Sequence, residues 1–267
     1  MFRLPSEIPL SEYPPPEIFI SEAERLVTEA GKEGLILRVM GGMAIYMRCA
    51  PEYKELWKRL GRLEGRVFTD IDFVSYGKYQ NAMIEFMRKN GYQMDPRMLF
   101  MIAKNRHIFF GGKVPMVEVF YDELNMNHRI IYKDRLETSE ITVPLEELML
   151  QKLQIVKINE KDLKDLMILL LSSQLGKGKD KLDAEFVAQE YMASDWGFYY
   201  TSTMNLNKLR ESARTNEILS DEQKKIIEEK IASILNSFES VPKKMSWKLR
   251  AKIGTKKQWY NVVDDWQ

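Results

Sequence analysis

The sequence has one cysteine, Cys49, in 267 residues, so it carries no disulfide framework and no cysteine-based zinc site. Its two histidines, His107 and His128, are too few for a histidine-rich metal centre. Any bound metal must therefore be held chiefly by carboxylates. Neither sign of charge is in excess. With 40 basic and 39 acidic side chains, the net charge of +1 gives no global case for a nucleic-acid or membrane-surface protein. Long apolar runs are also missing: the most apolar stretch, LMILLL at 166–171, falls far short of the roughly 18 residues a membrane span needs. The start, MFRLPSEIPLSEYPPPEIF, has prolines and acids where a signal peptide has its apolar segment, so a cytoplasmic protein is expected.

What is present is an ordinary globular composition, 45% apolar and 30% charged, in a chain long enough for one large domain or two modest ones. After a proline-rich arm over 1–16, EIFISEAERLVTEAG has helical spacing and ends at Gly31. LILRVM at 35–40 reads as a strand, Gly41-Gly42 as a turn, and AIYMRCA as the helix that follows. Residues 52–66 read as a charged surface helix and loop. DIDFVSY at 70–76 alternates as a half-buried strand should, and NAMIEFMRKNGY is an amphipathic helix closed by Gly91. HIFFGGKVPMVEVFYD has two β-rich runs around a Gly-Gly turn, the pattern of a hairpin, and RIIY and ITV are further short strands. Beyond Pro144 the pattern is helical, with a break expected near Asn159 and a helix expected to start at Asp221. The expected plan is α+β: a mixed β-sheet flanked by helices over 1–144, then an all-helical domain over 145–267.

Asp70 and Asp72 are two apart on the predicted strand, so both project from one face. Two carboxylates held that close repel unless a positive charge sits between them, and a hard divalent cation with oxygen ligands does this well. A solvated polar face is the plainer alternative. Glu118 stands alone among Val117, Val119 and Phe120 on a strand that could lie beside the first. There it must be paired, metal-bound or turned to solvent. Asp122 is a further candidate ligand. Arg106 could reach a phosphate or pair with Glu118, and His107 reads as structural. Gly41-Gly42 at the start of a helix would let phosphate approach backbone N–H groups, although no GxxxxGK[ST] loop is present.

Taken together, VMGGMAIY at 39–46, TDIDFVS at 69–75 and VEV at 117–119 resemble the nucleotidyltransferase superfamily, the polymerase-beta-like minimal fold. LEELMLQKLQIVK and EKDLKDL extend the resemblance to AbiE-type nucleotidyltransferases, with Lys152, Lys157 and Asp162 at matching positions, so that it covers about 35–170. The resemblance implies metal-dependent transfer of NMP from an NTP to an acceptor hydroxyl, with two Mg²⁺ or Mn²⁺ ions. Asp70, Asp72 and Glu118 would be the ligands, and Glu118 could also act as general base. Gly41, Gly42, Lys152, Lys157 and Asp162 would meet the nucleotide, the helical domain completing the nucleotide and acceptor site. Many relatives carry Ser or Thr by the glycines where this chain has Met43. The interval from Gly42 to Asp70 is long, and Lys54, Lys58, Arg59, Arg62 and Arg66 within it could contact substrate or simply face solvent.

Residues 241–263 carry seven basic residues, no acid, and the interleaved aromatics Trp247, Trp259 and Tyr260. Along 243–260 this pattern suits an RNA or tRNA acceptor, unless the aromatics pack on the core. The AbiE likeness adds a toxin role with an antitoxin protein as partner. A small-molecule acceptor, aminoglycoside-like, and a non-catalytic nucleotide-binding protein of the same fold are the other readings. No membrane partner is expected.

Overall fold

The computed structural model describes residues 7–9, 12–61, 68–95 and 105–263. Half of the expected N-terminal arm, and Arg62 and Arg66, lie outside the described residues. In chain order the elements are α1 (Pro16–Lys32), β1 (Leu37–Val39), α2 (Gly41–Arg48), α3 (Pro51–Arg59), β2 (Ile71–Ser75), α4 (Gln80–Lys89), β3 (Gln93–Met94), β4 (Arg106–Phe110) and β5 (Met116–Tyr121). There follow β6 (Glu123–Asn125), β7 (Arg129–Ile131), α5 (Leu145–Leu153), α6 (Glu160–Ser172), β8 (Gln174–Leu175), β9 (Lys181–Leu182), α7 (Ala184–Val187), α8 (Trp196–Thr215), α9 (Asp221–Ser240) and α10 (Met245–Ile253). No described helix is long and apolar enough to cross a membrane.

The chain divides into two compact units. The first comprises Met1–Met47, Arg62–Leu124 and Ile131–Pro144, and the second Arg48–Gly61, Asn125–Ile130 and Leu145–Gln267. The second unit thus takes α3 and the 125–130 turn in addition to the C-terminal helices, where the sequence suggested a single cut at 144.

The first unit is built on a five-stranded mixed sheet in the order β1-β2-β5-β4-β3. β2 and β5 are parallel, and the other neighbours are antiparallel. β4 and β5 form the expected hairpin around Gly111-Gly112. β2 is more buried than its alternating pattern predicted, every residue but Asp72 being inside. The cause is position: β1 and β5 flank it, and strands central in a sheet covered on both faces are apolar throughout. β5 is buried at all six positions for the same reason. α1 lays Phe19, Ala23, Leu26 and Ala30 inward. Its buried Glu22 is held by Arg25 at 2.6 Å, and Tyr92 donates to it at 3.0 Å.

In the second unit α5 is buried along its whole length, and Leu166–Leu171 of α6 is buried too. The break between α5 and α6 spans 154–159, and Asn159 caps α6 by accepting from the Asp162 N–H at 3.0 Å. Asn205 of α8 donates to the Leu153 and Ile155 carbonyls, at 3.0 and 2.7 Å, and so holds the end of α5. α9 begins with a capping box between Ser220 and Gln223, which sets its start at Asp221.

Candidate active site

In the first unit register places two of the expected residues on neighbouring strands. Asp72 on β2 lies directly opposite Glu118 on parallel β5, so their side chains share a face of the sheet. Asp70 precedes β2 by one residue, half-buried, and accepts from the Thr69 hydroxyl at 3.3 Å. Its charge reaches Glu118 and raises the Glu118 pKa.

Gly41 stands at the mouth of this face. Its φ of +69° is a left-handed conformation that side-chain-bearing residues rarely adopt, and a Cβ there would lie 3.1 Å from Asp72 Oδ2. The glycine therefore leaves open a gap beside a carboxylate, at the N-terminus of α2. The Met40 N–H donates to the Asp72 carbonyl at 2.9 Å and ties that turn to the strand. Met43, in the first turn of α2, is buried.

Glu118 is 6% exposed, and its charge is met by Arg106, whose Nη2 lies 2.5 Å from Glu118 Oε1. Arg106 is placed by the hairpin: Ile108 pairs opposite Glu118, so Arg106 is its diagonal neighbour on the same face. Burial raises the Glu118 pKa most, Arg106 opposes that rise, and Asp70 adds to it; the net shift is upward. Of the two partners open to Arg106 in the sequence, the carboxylate is the one it meets. Its Nε has no hydrogen-bond partner among the described residues.

Asp122 sits elsewhere. Because β2 and β5 run parallel, it falls at their far end, with φ +62°, and it accepts from the Gly77 N–H at 2.9 Å. It is a turn-forming residue and no neighbour of the Asp72 rung, which corrects the expectation of a third ligand there. His107 is structural, its Nδ1 lying 3.0 Å from the buried Tyr121 hydroxyl.

For a divalent cation the donor chemistry is right. Asp70 and Asp72 are hard oxygen donors beside a gap that a Cβ would fill, and Mg²⁺ is commonly held by one or two carboxylates plus phosphate oxygens. Glu118 differs from the expectation, since a guanidinium already occupies its charge. Among the described residues no three acidic, histidine or cysteine side chains converge in a metal-holding arrangement.

The second unit holds Lys152, Lys157 and Asp162. Lys152 is buried on α5, with its Nζ 2.7 Å from Asp162 and 2.9 Å from Asp165 on α6. Burial pulls its pKa down, but the two carboxylates outweigh this and raise it. Its ammonium is thus committed to two carboxylates within the unit. Asp165 was quoted in the sequence motif without a site role. Its signal was the three-residue spacing from Asp162, which puts both on one helix face. Lys157 is exposed in the link between α5 and α6.

The tail aromatics pack inward. Trp247 meets Tyr199 edge-on at 5.2 Å, and Trp259 meets Tyr200 edge-on at 5.2 Å. Trp259 Nε1 also donates to Thr201 Oγ1 at 3.1 Å, and Thr201 Oγ1 lies 2.9 Å from His128 Nε2. Burial lowers the His128 pKa to about 4, so the ring is neutral at pH 7.

No protein-family model and no curated protein sequence matches the chain. Among solved structures it is similar to ANT(2'')-Ia in complex with adenylyl-2''-tobramycin, at 12% identity over 58% of this chain and 88% of that one, with a TM-score of 0.36. It is similar to an antigenic nucleotidyltransferase-like protein from Paracoccidioides brasiliensis, at 10% identity over 85% and 95% of the two chains, TM-score 0.41. It is also similar to the Megavirus polyadenylate synthase, at 15% identity over 83% of this chain and 50% of that one, TM-score 0.33. At such identities these likenesses assign no residue and no substrate.

Proposed function

We propose that the chain is a nucleotidyltransferase that passes NMP from an NTP to an acceptor hydroxyl with release of pyrophosphate. The observation that carries this reading is the Asp72–Glu118 rung with Asp70 beside it and Gly41 opening the face. Asp70 and Asp72 would hold Mg²⁺ or Mn²⁺, which when bound would neutralise charge on the triphosphate and on the leaving pyrophosphate. Gly41 and Gly42 admit phosphate to the start of α2, where backbone N–H groups are unsatisfied by the helix itself. Glu118, with its raised pKa, is suited to take the proton of the acceptor hydroxyl once Arg106 shifts off it. In the second unit Lys157 is exposed, and Lys152 with Asp162 orders the α5–α6 pair.

One observation favours a second reading, nucleotide binding without transfer: Glu118 is neutralised by Arg106 and no three-ligand cluster is described. For the acceptor, RNA has lost one support, because the tail aromatics that would stack on bases are packed on α8. A small aminoglycoside-like acceptor, a protein, and a toxin role with an antitoxin partner stand beside it.

The test is transfer of label from each α-³²P NTP, with Mg²⁺ or Mn²⁺, to total RNA, aminoglycosides or protein. Asp70→Ala/Asp72→Ala runs alongside. Labelled acceptor with wild type only supports the transferase and identifies its acceptor class. Metal-dependent NTP binding by calorimetry without transfer supports the second reading, and neither result overturns both.

A further inference from the structure

α10 is apolar on two faces. Its inner side carries Trp247, Arg250 and Ala251, and α10 packs there on α8, with Trp247 against Tyr199 and the Arg250 guanidinium over the Trp196 ring. Met245, Leu249 and Ile253 follow at four-residue intervals and form one ridge on the opposite side. They are 69%, 56% and 39% exposed, among the largest exposures of any bulky apolar side chains described. A two-turn helix with apolar residues on both sides is the composition of a middle layer, and among the described residues no second layer covers it.

A basic cluster borders that ridge. Lys248 and Lys252 lie one turn apart on α10, Lys244 immediately precedes the helix and Lys256 follows Gly254 in the next turn; all four are exposed. Among the described residues none of them has an acidic side chain within 4.0 Å, whereas exposed lysines elsewhere, such as Lys32, Lys89 and Lys177, each pair with a glutamate. Like charges clustered on and around one short helix repel one another, so an anionic surface laid along Lys248 and Lys252 relieves a cost that the folded chain bears by itself.

We propose that the outward face of α10 is the docking site for a helix of a partner protein that bears an apolar stripe flanked on one edge by aspartate or glutamate. The ridge of Met245, Leu249 and Ile253 has the spacing that interdigitates with another helix, and the lysines set the sign of its flank. RNA fits less well: the groups beside the lysines are aliphatic, and the stacking aromatics Trp247 and Trp259 face α8. A lipid surface fits less well for a related reason, since the tryptophans that anchor interfacial helices are turned inward. The inference does not depend on the transfer reaction.

The probe is a labelled, designed 18-residue helix with leucines at four- and three-residue spacing and glutamates beside them, titrated with the full chain by fluorescence anisotropy. A matched peptide with lysine for each glutamate is the control. Binding of the acidic peptide is expected, with a loss of about tenfold in Lys248→Glu/Lys252→Glu and a matching gain for the lysine peptide. Leu249→Asp and, separately, Met245→Asp should abolish binding while circular dichroism and melting stay as in wild type, because both residues are exposed. The proposal is overturned by binding that ignores the charge reversal. It is also overturned if the chain prefers a 20-nucleotide RNA or phosphatidylserine vesicles to the peptide, or self-associates through Leu249 in sedimentation.

Discussion

Arg106 Nη2 and Glu118 Oε1 meet at 2.5 Å across two antiparallel strands, a diagonal pair that neutralises a carboxylate 6% exposed in the middle of the sheet. Removing one member of such a pair leaves the other buried and uncompensated. Arg106→Ala should therefore cost about 3 kcal/mol in urea denaturation at pH 8. The pH dependence has a definite sign. Glu118 titrates higher in the folded than in the unfolded chain, so the folded state binds the extra proton and stability falls as pH rises through that window. Arg106 opposes the upward shift, so its loss steepens the fall, and the penalty of Arg106→Ala should shrink toward pH 5. A pH-independent penalty would mean that Arg106 acts by packing.

Two glycines predict opposite outcomes for the same substitution. At Gly41 the φ of +69° and the 3.1 Å approach to Asp72 Oδ2 make Gly41→Ala unfavourable by about 1–2 kcal/mol. It should also weaken metal-dependent NTP binding in calorimetry, since the new methyl fills the gap beside Asp72. At Gly31 nothing lies within 4 Å and the residue is helical, so Gly31→Ala should stabilise by about 0.5 kcal/mol and leave binding alone.

Lys152 carries the second buried ion cluster. Lys152→Met removes the cation that Asp162 and Asp165 share, and should lower stability by about 3–5 kcal/mol at pH 7. Adding Asp165→Asn should recover part of that loss in chemical denaturation. The wild-type lysine, with its raised pKa, contributes stability that is present below its unfolded value and is lost as pH rises through the folded value. Wild type should therefore lose more stability than Lys152→Met on alkalinisation above pH 10.

His128 titrates the other way. Burial lowers its pKa to about 4, so the neutral ring is the folded form, and stability is lost as pH falls from about 6.5 toward 4. A shift of that size corresponds to about 3 kcal/mol. Thermal melts of His128→Gln between pH 7 and 4 should show a flatter acid limb than wild type. The ring stacks on Phe198 at 4.9 Å, so the variant should melt lower at pH 7.

The elements that were legible in the sequence are those whose cause is local. The Gly41-Gly42 turn, the β4–β5 hairpin and the Asn159 break each follow from residues within a few positions of one another, and so does the start of α9 at Asp221. The strand carrying Asp72 was equally legible, although it begins at Ile71 and so leaves Asp70 just before it. Asp122 was misread for want of direction. It lies four residues beyond Glu118, and the parallel run of β5 carries it past Ser75, away from Asp70, which no short-range pattern states.

Sequence by itself determined which side chains are available: two aspartates two apart, a glutamate in an apolar strand, a lysine and two aspartates at helical spacing, and an acid-free basic stretch over 241–263. Tertiary structure decided whom each one faces. Strand order put Glu118 beside Asp72, hairpin register gave its charge to Arg106, and the α5–α6 pairing enclosed Lys152 between two carboxylates. Helix packing turned Trp247 and Trp259 inward and left Met245, Leu249 and Ile253 outside. The physical reason is range: propensity and periodicity act over a few residues, whereas the desolvation and charge pairing that make a site act between residues distant in the chain.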